Sequence, residues 1–521
     1  MLTLRIKLLN GLDRALAIAL TGLLLGTALA FGGAVWWARP VIAAITWIVV
    51  LAWVIRVSLA GPWRILKSPL SALGFLTILL GTVQLLPIPV KLAGQISPTS
   101  TVVASYGVIP SQALIDDPSV TIPPPFLARS PLTLDRPATL RWLAGATVCL
   151  AVFWVVSHYS DRLGKAQVIW GSIVAAFFVN SIFGAVQVSN HSGGLYGIIA
   201  PGSGPSWAPT LDDAMTAPAE LLLRPIEVAR LNRPSMAAAL PSRPFLIGSL
   251  MGGPGALLAL GSLALPLALG MILQMFAPRG TRDGLLARLR DSGQGSLVLL
   301  MLGLIMAGSV LVGVLAGPFL SIPFAIGLGV AGLPGAWSSG ARRSGLAATA
   351  LTLLSLGGGL AIGEASARGH LGPNTLPRLD WASARSTWTE SVPILREFPI
   401  VGTGLGTFEA IYPYYKGRDA SSNTAMSSIL QFAVESGAVG LGLLATAALW
   451  CLIRLPGAIR RVGTADRALA FGLLGSMIGF GLFSAIHWSV ELAAVALAAA
   501  AVAGTANRWL AGGTDLFVDH G

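Results

Sequence analysis

About a dozen stretches of this chain are apolar over a length close to 20 residues, and that repetition limits the architecture more than any other feature. An α-helix needs about 20 apolar residues to cross a hydrocarbon layer roughly 30 Å thick. Inside lipid every backbone N–H and C=O must find a partner within the chain, so such runs become helices. They read as Arg14–Trp37, Val41–Leu59, Pro69–Leu86, Thr139–Val156, Ala166–Val188 and Leu246–Phe276 in the first half. The second half adds Ser296–Leu315, Leu320–Trp337, Gly345–Ile362, Ser427–Ile453, Ala468–His487 and Leu492–Ala506. The fold class expected is therefore all-α: a polytopic integral membrane protein of about 12 transmembrane helices. Charged residues make up only 11% of the 521, less than half the share usual in a soluble domain, so water is not the main solvent. The basic flank Met1–Arg14 resembles that of a signal peptide, but the apolar run continues without a clear cleavage site and reads as a retained first span.

The formal charge of +12 would raise the question of nucleic acid in a soluble protein. Here Arg64 with Lys67, Arg162 with Lys165, Arg279 to Arg290, Arg342 with Arg343, and Arg454 to Arg461 occupy alternate connections between the runs. Short connections rich in Lys and Arg stay cytoplasmic. The surplus is thus a signal of sidedness, no nucleic-acid partner is expected, and both termini are placed in the cytoplasm. The organisation that follows is three spans in 1–86, an outward loop 87–138, two spans in 139–188 and an outward loop 189–245. Four spans in 246–362 come next, then a large outward loop 363–426, and three spans with a tail in 427–521. The two cysteines, Cys149 and Cys451, both lie in apolar runs and suggest neither a disulfide framework nor a metal site.

The large loop 363–426 carries most of the chemistry-bearing side chains. Pro377 to Arg396 reads as an amphipathic interfacial helix bearing Arg378, Asp380, Trp381, Arg385, Trp388, Glu390 and Arg396. Gly402, Gly404 and Gly406 follow at alternate positions, a pattern suited to a tight turn or, less specifically, to phosphate binding. Next come Tyr412, Tyr414, Tyr415, Lys416 and Arg418, either an interfacial aromatic belt or part of a site. Glu435 lies in the following apolar run, where a carboxylate is costly and faces a partner or a polar cavity. A structural role for it stands beside a catalytic one. Asp116–Asp117 and Asp212–Asp213 are adjacent pairs, better suited to solvated loops or helix caps than to a shared metal.

The stretch Trp388 to Glu409, continued by Leu430-Gln431-Phe432-Ala433-Val434-Glu435-Ser436-Gly437, resembles the signature region of the O-antigen ligase and polymerase superfamily. Gln84 to Pro89 with Ser97-Pro98, Leu132 to Trp142, and Ala264 to Gly270 resemble other parts of the same family, in the same order. The resemblance implies a GT-C-like bundle with large periplasmic loops in a bacterial inner membrane. It also implies transfer of a glycan from undecaprenyl diphosphate to a lipid or glycan acceptor, without metal or cofactor. The partners implied are membrane lipids and the lipid-linked glycan, with subunits of an envelope complex as a further class. Arg suits the diphosphate through paired hydrogen bonds, and a base must take the acceptor proton. Candidates for the charges are Arg385, Arg396, Lys416 and Arg418, then Arg378 and Arg243, with Tyr412 and Tyr415 beside them.

The chain departs from the family pattern at three places. Thr424 to Ser428 occupy the positions of a His-containing motif, and no histidine lies between His370 and His487. The family's Arg four residues before the Trp falls on Ala384, with Arg385 one place later. Gly252, Gly253, Pro254 and Gly255 replace an Asn-Arg-Asn motif. His487, with Glu491, is the preferred substitute base, and His191 and His370 are further ones. Two alternatives remain at this level: a catalytically inactive relative that binds glycan lipid or supports an envelope assembly, and a secondary transporter, for which paired intramembrane charges are lacking.

Overall fold

The computed structural model describes residues 2–33, 37–60, 66, 68–106, 127–189, 246–247, 250–251, 253–276, 294–337, 342–368, 381–416, 424–463, 466–487 and 492–511. The first helices are α1 (Leu2–Leu29), α2 (Ala38–Ala60), α3 (Pro69–Leu85), α4 (Val90–Ile96) and α5 (Pro98–Tyr106). The middle of the chain forms α6 (Arg136–Tyr159), α7 (Leu163–Ser189), α8 (Gly253–Phe276), α9 (Gln294–Trp337) and α10 (Arg342–Ala367). Beyond them lie α11 (Trp381–Glu397), α12 (Phe408–Ile411), α13 (Ser428–Arg461), α14 (Arg467–Ile486) and α15 (Ala493–Leu510). Ten of these helices are long and apolar enough to cross a membrane, and α3 is a shorter apolar helix. The chain is a multi-pass α-helical membrane protein.

Several boundaries differ from the sequence reading. The first helix starts at Leu2, not near Arg14, and ends at Leu29, where Gly32 and Gly33 interrupt regular helix in a short 3₁₀ turn. The run expected from Leu246 begins as a two-stranded turn, Leu246–Ile247 paired with Leu250–Met251, and becomes helix only at Gly253.

The 44-residue α9 is not straight. Gly317 adopts φ 66° and ψ −180° just before Pro318, whose ring cannot continue the helix. A methyl built on Gly308 would lie 3.3 Å from Leu265, and one built on Gly327 would lie 3.3 Å from Pro266. In an unbroken helix Gly308 and Gly327 would stand about 28 Å apart, yet both meet the same turn of α8. The two halves of α9 therefore fold back on each other as a hairpin at Gly317.

The helix α8 is central and buried along nearly its whole length. Leu258, Leu265 and Leu269 pack there with Trp170 and Phe177 of α7, Phe324 of α9, Leu473 and Phe483 of α14 and Ala498 of α15. Without a hydrophobic drive between helices in lipid, small residues that let backbones approach supply the packing. The α8–α14 pair follows that rule: a methyl on Gly270 would fall 2.7 Å from the Ala468 carbonyl oxygen.

One end of the bundle is tied by polar and charged side chains. Arg56 of α2 and Lys165 of α7 both pair with Asp13 of α1 and with Asp161 of the α6–α7 turn. Close by, Ser68 and Ser157 bond to Asn507 of α15, and Gln167 reaches Gln274, which reaches Asp466. His158 also lies at this end, its Nε2 accepting the Leu66 N–H while Nδ1 faces the Trp154 carbonyl. The candidate site lies at the opposite end, where α3 finishes and α6 and α13 begin.

Candidate functional site

The site starts from a broken helix. Gly437 sits inside α13 with φ 61° and ψ −156°, a conformation open to glycine and strained for other residues. The break frees the carbonyls of Val434 and Glu435 and the amides of Ala438 and Val439, which regular helix would have paired with one another. The segment 399–404 takes all four. Thr403 N–H donates to the Val434 carbonyl and Gly404 N–H to the Glu435 carbonyl, each at 3.0 Å. Ala438 N–H donates to Pro399 at 2.8 Å and Val439 N–H to Ile400 at 3.1 Å. The approach is close enough that a methyl on Gly402 would sit 2.3 Å from the Glu435 carbonyl carbon, and one on Gly437 would sit 2.5 Å from that of Ile400. The glycines in this loop thus serve chain contact.

Two buried polar side chains complete the knot. Glu435, 2% exposed, accepts Gly406 N–H at 2.8 Å on one oxygen and Phe408 N–H at 3.1 Å on the other. Gln84, fully buried at the end of α3, donates from Nε2 to the Val401 carbonyl at 2.7 Å and to that of Glu435 at 3.1 Å. Its Oε1 accepts Leu405 N–H at 3.0 Å. Its own carbonyl accepts from Leu132 and Thr133, so the entry to α6 is bound into the same unit. A short pairing of Ile88–Pro89 with Arg129–Ser130 lies alongside.

This knot positions α11, whose sequence places two faces at helical spacing. Ala384, Thr387, Ser391 and Ile394 point inward and are buried. Arg385, Thr389, Val392 and Arg396 point outward and are exposed. The inner face rests on Phe398, Phe408, Ile411, Tyr412 and Val434. Two tyrosines then fasten the helix: the Tyr412 hydroxyl donates to Glu390 and the Tyr415 hydroxyl to Glu397. Burial, reinforced by the bond to Glu390, pushes the Tyr412 hydroxyl well above the usual phenol range, so it stays a donor. Trp388 Nε1–H reaches the Met426 carbonyl at 3.4 Å and fixes the indole at the edge of the outer face.

A shallow, solvent-open groove runs along that outer face, lined by Trp388, Thr389, Val392, Pro393 and Arg396. Arg385 and Arg396 share the face eleven positions apart, about 16 Å along a helix and nearly in line. Lys416 follows the 3₁₀ turn Tyr412–Tyr414 and is half-buried.

His487 caps the end of α14 and is 5% exposed. Its ring lies against Gly255, where a methyl would fall 2.2 Å from Cε1, and 5.3 Å from the Phe483 ring. Its carbonyl accepts the Ser428 hydroxyl at 3.3 Å, which places the histidine beside the 424–428 segment. The glycine at 255 is what leaves room for an imidazole.

The structure thus gathers Arg385, Arg396, Tyr412, Tyr415, Lys416 and Glu435 around one loop unit, with His487 at its α14 side. The tyrosine hydroxyls and the Glu435 carboxylate are spent on holding the unit together. Arg378, Arg418, Arg243, Glu491, His191 and His370 lie outside the described residues, as does Pro377. Sequence reasoning named Gln84 only within a motif and did not give it an anchoring role. The signal available was a polar side chain ending an apolar run, which needs a partner when buried.

No family model matches this chain, and no curated protein sequence matches it.

Proposed function

We propose that this protein is a metal-independent membrane glycosyltransferase of the O-antigen ligase and polymerase type. It takes a glycan from undecaprenyl diphosphate and passes it to a hydroxyl of a lipid or glycan acceptor. The observation that carries the reading is the α11 outer face, where Arg385 and Arg396 stand exposed on a helix whose inner face is fastened at several points. A cation held by a rigid element suits the binding of a diphosphate leaving group.

In this reading Arg385 holds the diphosphate, with Lys416 and Arg418 adding charge. The acceptor oxygen attacks the anomeric carbon, the bond from that carbon to the diphosphate oxygen breaks, and His487 takes the acceptor proton. Undecaprenyl diphosphate leaves with the bond's electron pair. In this reading α3 and each half of α9 also cross the membrane, making 12 spans in a GT-C-like arrangement. Both termini then face the cytoplasm of a bacterial inner membrane, and the loops at the Gln84–Glu435 end face the periplasm.

A second reading, a non-catalytic relative that binds glycan lipid or supports an envelope assembly, draws on one observation: His487 is almost fully enclosed. Turnover of an undecaprenyl-diphosphate-linked oligosaccharide by the purified protein, with Arg385→Ala as the diagnostic variant, separates the two.

A further inference from the structure

The groove on α11 combines groups that recognise a particular chemistry. Trp388 offers an aromatic surface at its edge, held by its N–H bond to Met426. Pro393 lies inside the helix and has no N–H, so the Thr389 carbonyl four residues earlier loses its regular helical donor. Thr389 and Pro393 both line the groove. The Thr389 hydroxyl donates back to the Arg385 carbonyl at 3.0 Å. Arg396 closes one end with an exposed guanidinium. Aromatic surface, an acceptor for hydroxyl groups and a planar cation together fit a sugar ring that carries an acid group.

We infer that Trp388, the Thr389 carbonyl and Arg396 form a saccharide subsite selective for an acidic sugar. The inference rests on the transferase reading and divides its labour: Arg385 holds the diphosphate at one end of α11, and Arg396 reads the glycan at the other. The spacing along one helix face leaves room for the sugar between the two cations.

The test is direct binding, independent of turnover. Tetragalacturonate and the neutral maltotetraose are titrated against the full-length protein in phosphatidylcholine nanodiscs and followed by saturation-transfer NMR. The wild type should prefer tetragalacturonate, and Arg396→Gln should erase that preference by weakening the acidic ligand about tenfold, the scale of one charged hydrogen bond. Trp388→Ala should weaken both ligands, while Trp388→Phe, which keeps an aromatic surface, should retain most of the binding. Equal binding by wild type, Arg396→Gln and Trp388→Ala, or no binding by folded wild type, would overturn the subsite. Loss of the neutral maltotetraose signal together with the acidic one in phosphatidylglycerol discs would assign the groove to anionic headgroups and also overturn it. Transfer activity without binding here would sink the subsite and spare the transferase reading; binding without transfer would do the reverse.

Discussion

Gln84 and Glu435 meet although 351 positions separate them: the Gln84 side-chain N–H donates to the Glu435 backbone carbonyl at 3.1 Å. The contact joins the end of α3 to the broken start of α13, with the glycine loop held between them. Everything proposed for α11 depends on that unit being rigid.

Removing the Glu435 carboxylate should loosen the loop. Glu435→Ala leaves the N–H groups of Gly406 and Phe408 without their acceptor, at about 1–3 kcal/mol each. Glu435→Gln keeps one acceptor oxygen and should lose about half as much. Thermal melts of the purified protein should rank wild type above Glu435→Gln and Glu435→Ala lowest. Equal melting points for the two variants would show that the carboxylate does not anchor these amides.

The glycine contacts predict opposite effects at two positions. Gly402→Ala drives a methyl into the Glu435 backbone at a residue whose φ is 71°, so it should prevent stable folding or cost several kcal/mol. At Gly442, inside α13, a methyl meets nothing within 4 Å. Gly442→Ala should therefore be neutral or stabilise by up to about 1 kcal/mol through helix propensity. Yield of folded protein by gel filtration, followed by melting, distinguishes the two.

Alkaline pH should release α11. The Tyr412 hydroxyl is raised in the folded state, so its contribution is fully present below the ordinary phenol value near 10. It is lost as pH climbs through the folded value, because the folded state then holds a proton the unfolded state has given up. Melting points between pH 8 and pH 11.5 should fall more steeply for wild type than for Tyr412→Phe. Parallel slopes would remove Tyr412 from the account.

The hairpin at Gly317 has a consequence for sidedness. In a variant with Cys149 and Cys451 replaced by Ser, Phe319→Cys should react with a membrane-impermeant maleimide from the same side as Glu409→Cys. Arg460→Cys should react only from the other side. Labelling of Phe319→Cys from the Arg460 side would contradict the reversal.

Much of the bundle was legible because lipid imposes a length and a polarity on each helix. The runs around Ala166–Val188 and Ala468–His487 correspond closely to α7 and α14. The amphipathic pattern ending at Arg396 was readable for the same reason, since Ala384, Thr387, Ser391 and Ile394 recur at helical spacing. The knot was not readable. Its bonds run from side chain to backbone between segments hundreds of residues apart, and no local pattern records that Gln84 and Glu435 will share a loop. The break within α13 was equally hidden: Gly437 is one glycine in an apolar run rich in them, and only the arrival of residues 399–404 stabilises its open carbonyls.

The most direct test of the central claim is transfer of an undecaprenyl-diphosphate-linked oligosaccharide by the purified protein in nanodiscs with EDTA present. Turnover should persist in EDTA, fall by at least about 100-fold in Arg385→Ala, which should melt like wild type, and fall in His487→Gln, which keeps most of the buried side-chain volume. Absence of turnover by folded wild-type protein across a broad set of donors and acceptors, or turnover unchanged in Arg385→Ala, would contradict it.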